Sequence, residues 1–477
     1  MERTFEFSLS AIVPDAFGWN SGTTGDNCGK FLKCVPEGTL ISINGSLMPI
    51  EEGRCGMKTL GNANQLQEIM KIIDYNYVGN IISIKAVGIP EFSLTPEHRV
   101  RIVERKRDRL KILHYSKDEQ WKKCNELATS FWQSDCLVFP KYKIYSKNSK
   151  IDLSKYHHLK THKSRSIILP LSRDAMAVLG LFLAEGWVTE TEKDTLVCWS
   201  LDKKEEETLA KKIQEFLPKI GLTAVIRPSK STPNGIVVVC HSKQLGIFLT
   251  REFGHRAHNK KIPDFIMNTS DENVKTFLKY AIFGDGCFYG EQKLTFYCTT
   301  SPSVAFQIQK LFSKLDIFIN IYTRAPKITD FNGRKIHQRK TFILILSKRP
   351  SESFWGLTGN KTKQYNTIGE SSNAFYLPIK RTFKMNYNGK IYNYETLDKT
   401  FQINNVIVHN SDYGYQKMCV CRFLNCTLTE LKNRIKNPAD YMTILAYLSE
   451  EGERINASSN LPPSSRGSFQ RQPSVRR

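Results

Sequence analysis

A chain of 477 residues is too long for one compact core, so two or three domains are expected. Its composition is globular, with 40% hydrophobic residues. It has no apolar run of the ~18 residues a membrane helix needs, and Met1-Glu2-Arg3-Thr4 lacks the basic flank and apolar stretch of a secretion signal. On these features an intracellular protein that does not span a membrane is expected, and the formal charge of +23 points to a polyanionic partner or to no more than a soluble basic surface. The twelve cysteines lack the paired spacings of a zinc site, the Cys419, Cys421 and Cys426 trio included, so reduced thiols are expected.

Residues 1–33 are polar and Gly-rich around Ser21 to Gly29. From Cys34 the texture becomes all-β: Leu40 to Ile43, Leu47 to Ile50, Ile81 to Ala86, Phe92 to Leu94 and Val100 to Val103 read as short strands, with Asn44-Gly45 as a hairpin turn. Between Asp174 and His255 helix and strand alternate. A helix at Ala175 to Glu185 leads to strands, a helix near Glu205 to Leu217, and strands at Thr223 to Arg227 and Ile236 to Cys240. The same order returns as a helix at Asn273 to Asp285, a strand at Leu294 to Cys298, a helix at Ser303 to Leu315, and strands at Phe318 to Thr323 and Phe342 to Leu346. Asp285 follows Glu185 by one hundred residues, so one supersecondary unit occurs twice and a pseudo-twofold domain is expected. Strands resume at Lys390 to Tyr394 and Asn405 to Val408. Short helices are expected at 427–436 and 439–449, and a disordered Ser-, Pro- and Arg-rich tail from Asn456.

Two constellations carry chemistry. The first is spread over the β segments. Cys34 could attack the Lys33 carbonyl and turn an amide into a thioester. Thr95-Pro96-Glu97-His98 could polarise that amide, with the His98 imidazole near it and Thr95 helping to hold it. At Val408-His409-Asn410-Ser411, the Asn410 amide can close on its own carbonyl as a succinimide, His409 can assist by proton transfer, and Ser411 can accept the acyl group beforehand. Singly, a buried cysteine is usually a small hydrophobe and a His-Asn-Ser a turn; their order along the chain is the signal. Cys34 to Ile50, Phe92 to Ile102 and Ile391 to Ser411 resemble the N-terminal, Thr-x-x-His and C-terminal blocks of inteins, and Trp121 to Pro140 resembles the strand that closes the N-terminal half. Asn393 stands where such blocks usually carry an acid, and Lys399 or Thr400 where a histidine is frequent.

The second constellation is the repeat. Val178 to Gly186 and Leu278 to Gly286 are apolar helices that end in acid-glycine, with small residues at Ala184 and Gly284 to let the backbones approach. Gly186 and Gly286 would end them through positive φ. Such a pair brings Glu185 and Asp285 together, and hard divalent cations held by carboxylates are what phosphodiester hydrolysis needs. These segments resemble the paired LAGLIDADG motifs. Tyr280 replaces the usual small residue in the second and is expected to loosen the packing. Lys260-Lys261-Ile262-Pro263 resembles the block between the motifs, with Lys260 at the active-site lysine, or is a basic surface turn; a second lysine is not placed. Arg227, Lys230, Arg324, Lys327, Arg334, Lys335, Arg339 and Lys340 would face duplex DNA from the strands.

The two resemblances imply a multidomain fold: an all-β horseshoe (Hint/intein) splicing domain interrupted by an α+β, αββαββα-type, pseudo-twofold LAGLIDADG endonuclease domain. The expected parts are flanking exteins at 1–33 and 411–477, the splicing domain at 34–145 and 385–410, and the endonuclease at 170–365. The implied protein is a monomer that excises residues 34–410, with Glu185 and Asp285 holding Mg²⁺ and double-stranded DNA as partner. An inactive endonuclease inside a splicing element, and a maturase-like RNA binder, are the alternatives; a hedgehog-like autoprocessing domain fits Asn410-Ser411 less well.

Overall fold

The computed structural model describes residues 33–156, 166–190, 194–230, 232–331, 334–357 and 368–410. Residues 1–32 and 411–477 lie outside them, and with them Ser411, the cysteine trio, the helices expected at 427–449 and the tail. Among the described residues no helix is long and apolar enough to cross a membrane.

Alternation builds the first β unit. Leu40–Ile43 buries Ile41 and Ile43 on one face, and Asn44 and Gly45 turn it through positive φ of 49° and 76° into Ser46–Pro49. A large antiparallel sheet then runs in the order Leu66–Glu68, Lys58–Leu60, Leu40–Ile43, Thr400–Ile403, Val406–His409, Arg99–Arg107, Gln133–Pro140, Ala374–Glu395, Lys71–Ala86, Phe92–Leu94. Strands from both ends of the described chain therefore interleave. Their inward faces form one core that joins Val35, Ile41, Val100 and Leu137 to Leu377, Tyr394, Phe401 and Val408. Lys71–Ala86 and Ala374–Glu395 pair over most of their length, far beyond the Ile81 to Ala86 and Lys390 to Tyr394 foreseen. Their polar, Asn- and Gly-containing middles belong to a ribbon with exposed stretches on both strands, which needs no apolar alternation and leaves no period-2 signature.

Seven α-helices are described: α1 Arg173–Glu185, α2 Lys211–Phe216, α3 Lys243–Phe253, α4 Asp264–Met267, α5 Asp271–Asp285, α6 Pro302–Lys314 and α7 Lys348–Trp355. The serines Ser172 and Ser270 cap α1 and α5 by accepting the amides of Ala175 and Asn273. Each of these two helices leads into a four-stranded sheet of the same internal order. The first is Gly186–Glu190, Thr195–Asp202, Gly235–His241, Ala224–Pro228; the second is Gly286–Tyr289, Leu294–Thr299, Thr341–Leu346, Asn320–Arg324. The repeat is thus real, and the second copy carries an extra hairpin, Lys327–Phe331 with Arg334–Gln338, that the sequence reading missed. Helices and sheets of both copies share a second core.

Candidate functional sites

The helices α1 and α5 pack at backbone distance. A Cβ added to Gly180 would stand 2.4 Å from the Phe277 carbonyl oxygen, and one added to Gly284 would stand 2.4 Å from the Ala184 Cβ. Tyr280 does not loosen this contact. Its ring meets Phe283 edge-on, with centroids 5.5 Å apart, and lies under the Lys212 ammonium, while Gly180 leaves room for the Tyr280 Cβ. Gly186 and Gly286 end the helices in extended backbone, with φ of −93° and −126°, so positive φ is not their role. They are needed for space: a Cβ would meet Phe182 at 2.2 Å or the Phe296 carbonyl at 2.5 Å.

Each acid therefore ends a central helix and opens the edge strand of a sheet. The protein around it and the Glu185 charge push the Asp285 carboxyl up to about 7, while Lys260 and a long hydrogen bond from the Tyr297 hydroxyl, 3.5 Å, oppose the rise. Glu185 is also raised, by burial and then by Glu205, with Lys260 again opposing. Lys260 lies within electrostatic reach of both acids and donates to the carbonyls of Leu183 (2.7 Å), Gly186 (2.9 Å) and Phe182 (3.2 Å). Burial lowers its ammonium to about 8 against the attraction of Asp285 and Glu185. A cavity of about 260 Å³ opens on Asp285, Lys260 and Tyr297, and one of about 420 Å³ on Glu185 and Lys260. Among the described residues no cluster of three His, Cys, Asp or Glu offers a closed metal cage. The two mutually repelling carboxylates instead fit a hydrated hard cation that takes its other ligands from water and phosphate. Arg227, Lys230, Arg324, Lys327, Lys335, Arg339 and Lys340 are all exposed on or beside the strands.

The second site lies on the large sheet, around the start of Val35–Pro36 and the end of Val406–His409. Cys34 is buried, and burial pushes its thiol well up. Thr95 brackets it: the Thr95 Oγ1 accepts the Cys34 N–H at 2.9 Å, and the Thr95 hydroxyl and amide donate to the Cys34 carbonyl at 3.1 and 3.0 Å. Val35–Pro36 pairs with Tyr392–Ile391, a register that sets Asn393 opposite Cys34. His98 is fully buried, and its ring lies close to the backbones of Cys34 and Lys33 without a hydrogen bond of ordinary geometry on either nitrogen among the described residues. Burial first, then the charges of Lys33 and His409, lower it to about 3, and the backbones of Cys34 and Lys33 oppose the shift. The imidazole is neutral at ordinary pH.

His409 reaches this place because Val406–His409 pairs on one side with Thr400–Ile403 and on the other with Arg99–Val100, next to His98. Its Nδ1 lies 2.5 Å from the Asn410 carbonyl oxygen, which it polarises in the Nδ1–H tautomer. The edge of Trp121 holds the ring, 5.1 Å between centroids. Asn410 is buried, its Nδ2 donates to Thr396 Oγ1 at 3.1 Å, and its Oδ1 has no partner among the described residues. Sequence reasoning named Cys34, Thr95, His98, His409 and Asn410, and the fold gathers them; Ser411 lies outside the described residues. Thr396, Trp121 and Tyr297 were missed as site residues. Thr396 and Trp121 fall inside segments the intein resemblance had marked, but nothing in their own chemistry distinguished them.

Residues 173–251 match the LAGLIDADG-like domain family. The chain is 25% identical over 424 residues to an ATP-dependent DNA helicase, Hel308, from Thermococcus kodakarensis, covering 79% of this chain and 36% of that one. It is also 25% identical over 405 residues to an uncharacterized protein from Methanocaldococcus jannaschii, covering 76% and 48%. The chain thus spans between about a third and a half of the length of these relatives. Among solved structures it is similar to mesophilic variants of the homing endonuclease I-DmoI, at a TM-score of 0.30 and 13% identity over 40% of this chain and 98% of that one. It is similar also to the homing endonuclease I-WcaI bound to its DNA recognition sequence, at 0.25 and 17% over 39% and 81%.

Proposed function

We propose that this chain is a self-splicing precursor that excises residues 34–410 and joins its flanks, and that the LAGLIDADG-like repeat inside the excised segment is a site-specific, Mg²⁺-dependent endonuclease for double-stranded DNA, acting as a monomer. One observation carries the splicing half: the buried His98 imidazole lies against the Cys34 and Lys33 backbones and feels both Lys33 and His409, although 376 positions separate those two residues.

Four steps follow. The Cys34 thiol adds to the Lys33 carbonyl and the C–N bond breaks; the thiol proton ends on the freed Cys34 amine by way of the neutral His98, leaving a thioester. The Ser411 hydroxyl displaces the Cys34 thiol to give an ester. The Asn410 Nδ2 adds to the Asn410 carbonyl, whose oxygen His409 polarises, and the Asn410–Ser411 bond breaks as the Ser411 amine takes the proton. That amine then attacks the ester, and an amide joins the flanks. Thr95 holds the first amide in line, and Thr396 holds the Asn410 amide.

In the endonuclease, Glu185 and Asp285 would hold Mg²⁺, which would supply Lewis-acid polarisation of the phosphate and activation of water. Lys260 offsets the two carboxylates from inside the protein, and the exposed strand cations hold the duplex backbone. Mass spectrometry of freshly expressed chain tests the first half: joined flanks and a free 34–410 fragment are expected, both lost in Cys34→Ala/Asn410→Ala. Cleavage of DNA spanning the uninterrupted insertion point tests the second, and is expected to vanish in Glu185→Gln and Asp285→Asn. Intact precursor from the unaltered chain would end the splicing reading; cleavage surviving both acid variants would end the other.

A further inference from the structure

We propose that Lys310, on helix α6 of the repeat, is a positioning residue for Asn410 cyclisation: it anchors the hairpin that carries Asn410 to the inserted unit. This rests on the splicing reading above. The Lys310 ammonium bonds to Gln402, in the large sheet, and to Asn64, in the turn between two of its strands, and to none of the acidic-site residues.

The connection can be followed bond by bond. Lys310 Nζ donates to Gln402 Oε1 at 2.8 Å and to Asn64 Oδ1 at 3.3 Å. Gln402 sits in Thr400–Ile403 and is held from its other end, its Nε2 donating to the Gly61 carbonyl at 2.7 Å. Two residues earlier in that strand, the Thr400 carbonyl accepts the Thr396 hydroxyl at 2.9 Å, and Thr396 Oγ1 in turn accepts the Asn410 Nδ2. The group that must attack is thus aimed by a strand whose place α6 sets. The turn of the same hairpin is clamped to the same helix: Asn405 Nδ2 donates to the Phe306 carbonyl and to Gln309 Oε1, both at 3.1 Å. Strand and turn together leave the hairpin little freedom to slide against Arg99–Arg107.

A buried lysine is an unusual anchor, since burial alone pushes its ammonium down to about 7. It holds the Gln402 Oε1, which an apolar residue would leave bare, and shares the Asn64 Oδ1 with the Gln402 Nε2 at 3.2 Å; this fixes the register of α6 on the sheet rather than adding net stability.

The test uses the full chain. Cyclisation is followed as breakage at Asn410–Ser411, and the first step separately as thiol-induced cleavage at Lys33–Cys34 in an Asn410→Ala background. Lys310→Met and Gln402→Met are each expected to slow cyclisation by about tenfold, the loss of roughly one hydrogen bond's worth of aim. Thiol cleavage should stay within about twofold, which a merely structural defect would not spare. The double variant should be no slower than the slower single one. Unchanged cyclisation in both singles, equal slowing of both steps, or additive effects would each overturn the proposal. If the unaltered chain does not release 34–410, the splicing reading has failed. The anchoring is then read by hydrogen exchange in Cys34→Ala/Asn410→Ala chain, where Lys310→Met should speed exchange at 400–409 and not at 99–107; equal protection there would overturn it too.

Discussion

Gly180→Ala tests whether close helix contact is what makes the acidic site. The added methyl would lie 2.4 Å from the Phe277 carbonyl oxygen and 3.1 Å from the Ala281 nitrogen. Both are backbone atoms of α5, so no side chain can turn aside, and the helices must part by about 1 Å to regain ordinary contact. Alanine in a helix interior gains ~1 kcal/mol over glycine, while overpacking costs ~1–3 kcal/mol. The net is expected to run from neutral to about 2 kcal/mol less stable. Function should suffer far more, because a displacement of about 1 Å at reacting groups costs on the order of a hundredfold in rate. Spreading the helix ends also weakens the Glu185 repulsion, so the Asp285 carboxyl should titrate below the value of about 7 it now has. Denaturant unfolding, DNA cleavage and carboxyl NMR, all in Cys34→Ala/Asn410→Ala chain, read the three effects. A variant that is more stable by about 1 kcal/mol, cuts normally and leaves Asp285 unmoved would refute the reasoning.

Three further outcomes are expected. Folding raises the Asp285 carboxyl from 3.8 to about 7, so the folded chain keeps a proton that the unfolded chain releases; metal-free stability should therefore fall as pH rises from about 4 to about 7. Thermal melts should show Mg²⁺ restoring stability at pH 8 and not at pH 5, and an equal Mg²⁺ effect at both would contradict this. Lys260→Met strips the C-terminal carbonyls of α1 of their donor and should destabilise by ~1–3 kcal/mol in urea unfolding, while raising the Asp285 titration further. Thr95→Val removes the acceptor of the Cys34 N–H and should slow thiol cleavage at Lys33–Cys34 by roughly tenfold without altering DNA cleavage.

What could be read in advance was local chemistry with a fixed order or period. Glu185 and Asp285 were legible because an apolar helix ending in acid-glycine occurs twice, and Lys260 because Lys-x-Ile-Pro lies between the copies. Cys34, Thr95, His98 and Asn410 were legible because the proposed reaction dictates their residue types and sequence. Thr396, by contrast, acts through the register of a hairpin: it meets Asn410 only once Thr400 pairs with His409, and no periodicity encodes that. The glycines after the acids were found for the wrong reason. Crowding by Phe182 and Phe296, which depends on the folded backbone, is what requires them.

Helix α6 illustrates a deeper limit. Its sequence, Pro302–Lys314, has apolar residues on one side and Ser303, Gln307, Gln309, Lys310, Ser313 and Lys314 among the rest, the pattern of a surface helix with a solvated face. Every one of those polar residues is buried. Gln307 donates to the Gly45 carbonyl and Gln309 to the Gly88 carbonyl, while Ser303 accepts the Leu47 amide; Lys314 donates to the carbonyls of Ile144 and Met267, so the polar face is solvated by protein, much of it the strands and turns of the large sheet, instead of by water. A net hydrogen bond contributes only ~1 kcal/mol, yet leaving its buried partner bare costs ~1–3 kcal/mol. An interface built this way adds little to stability and is severe about alignment. On the splicing reading proposed above, that is the combination the repeat needs if it is to sit beside a reactive junction without prising open the sheet that holds it.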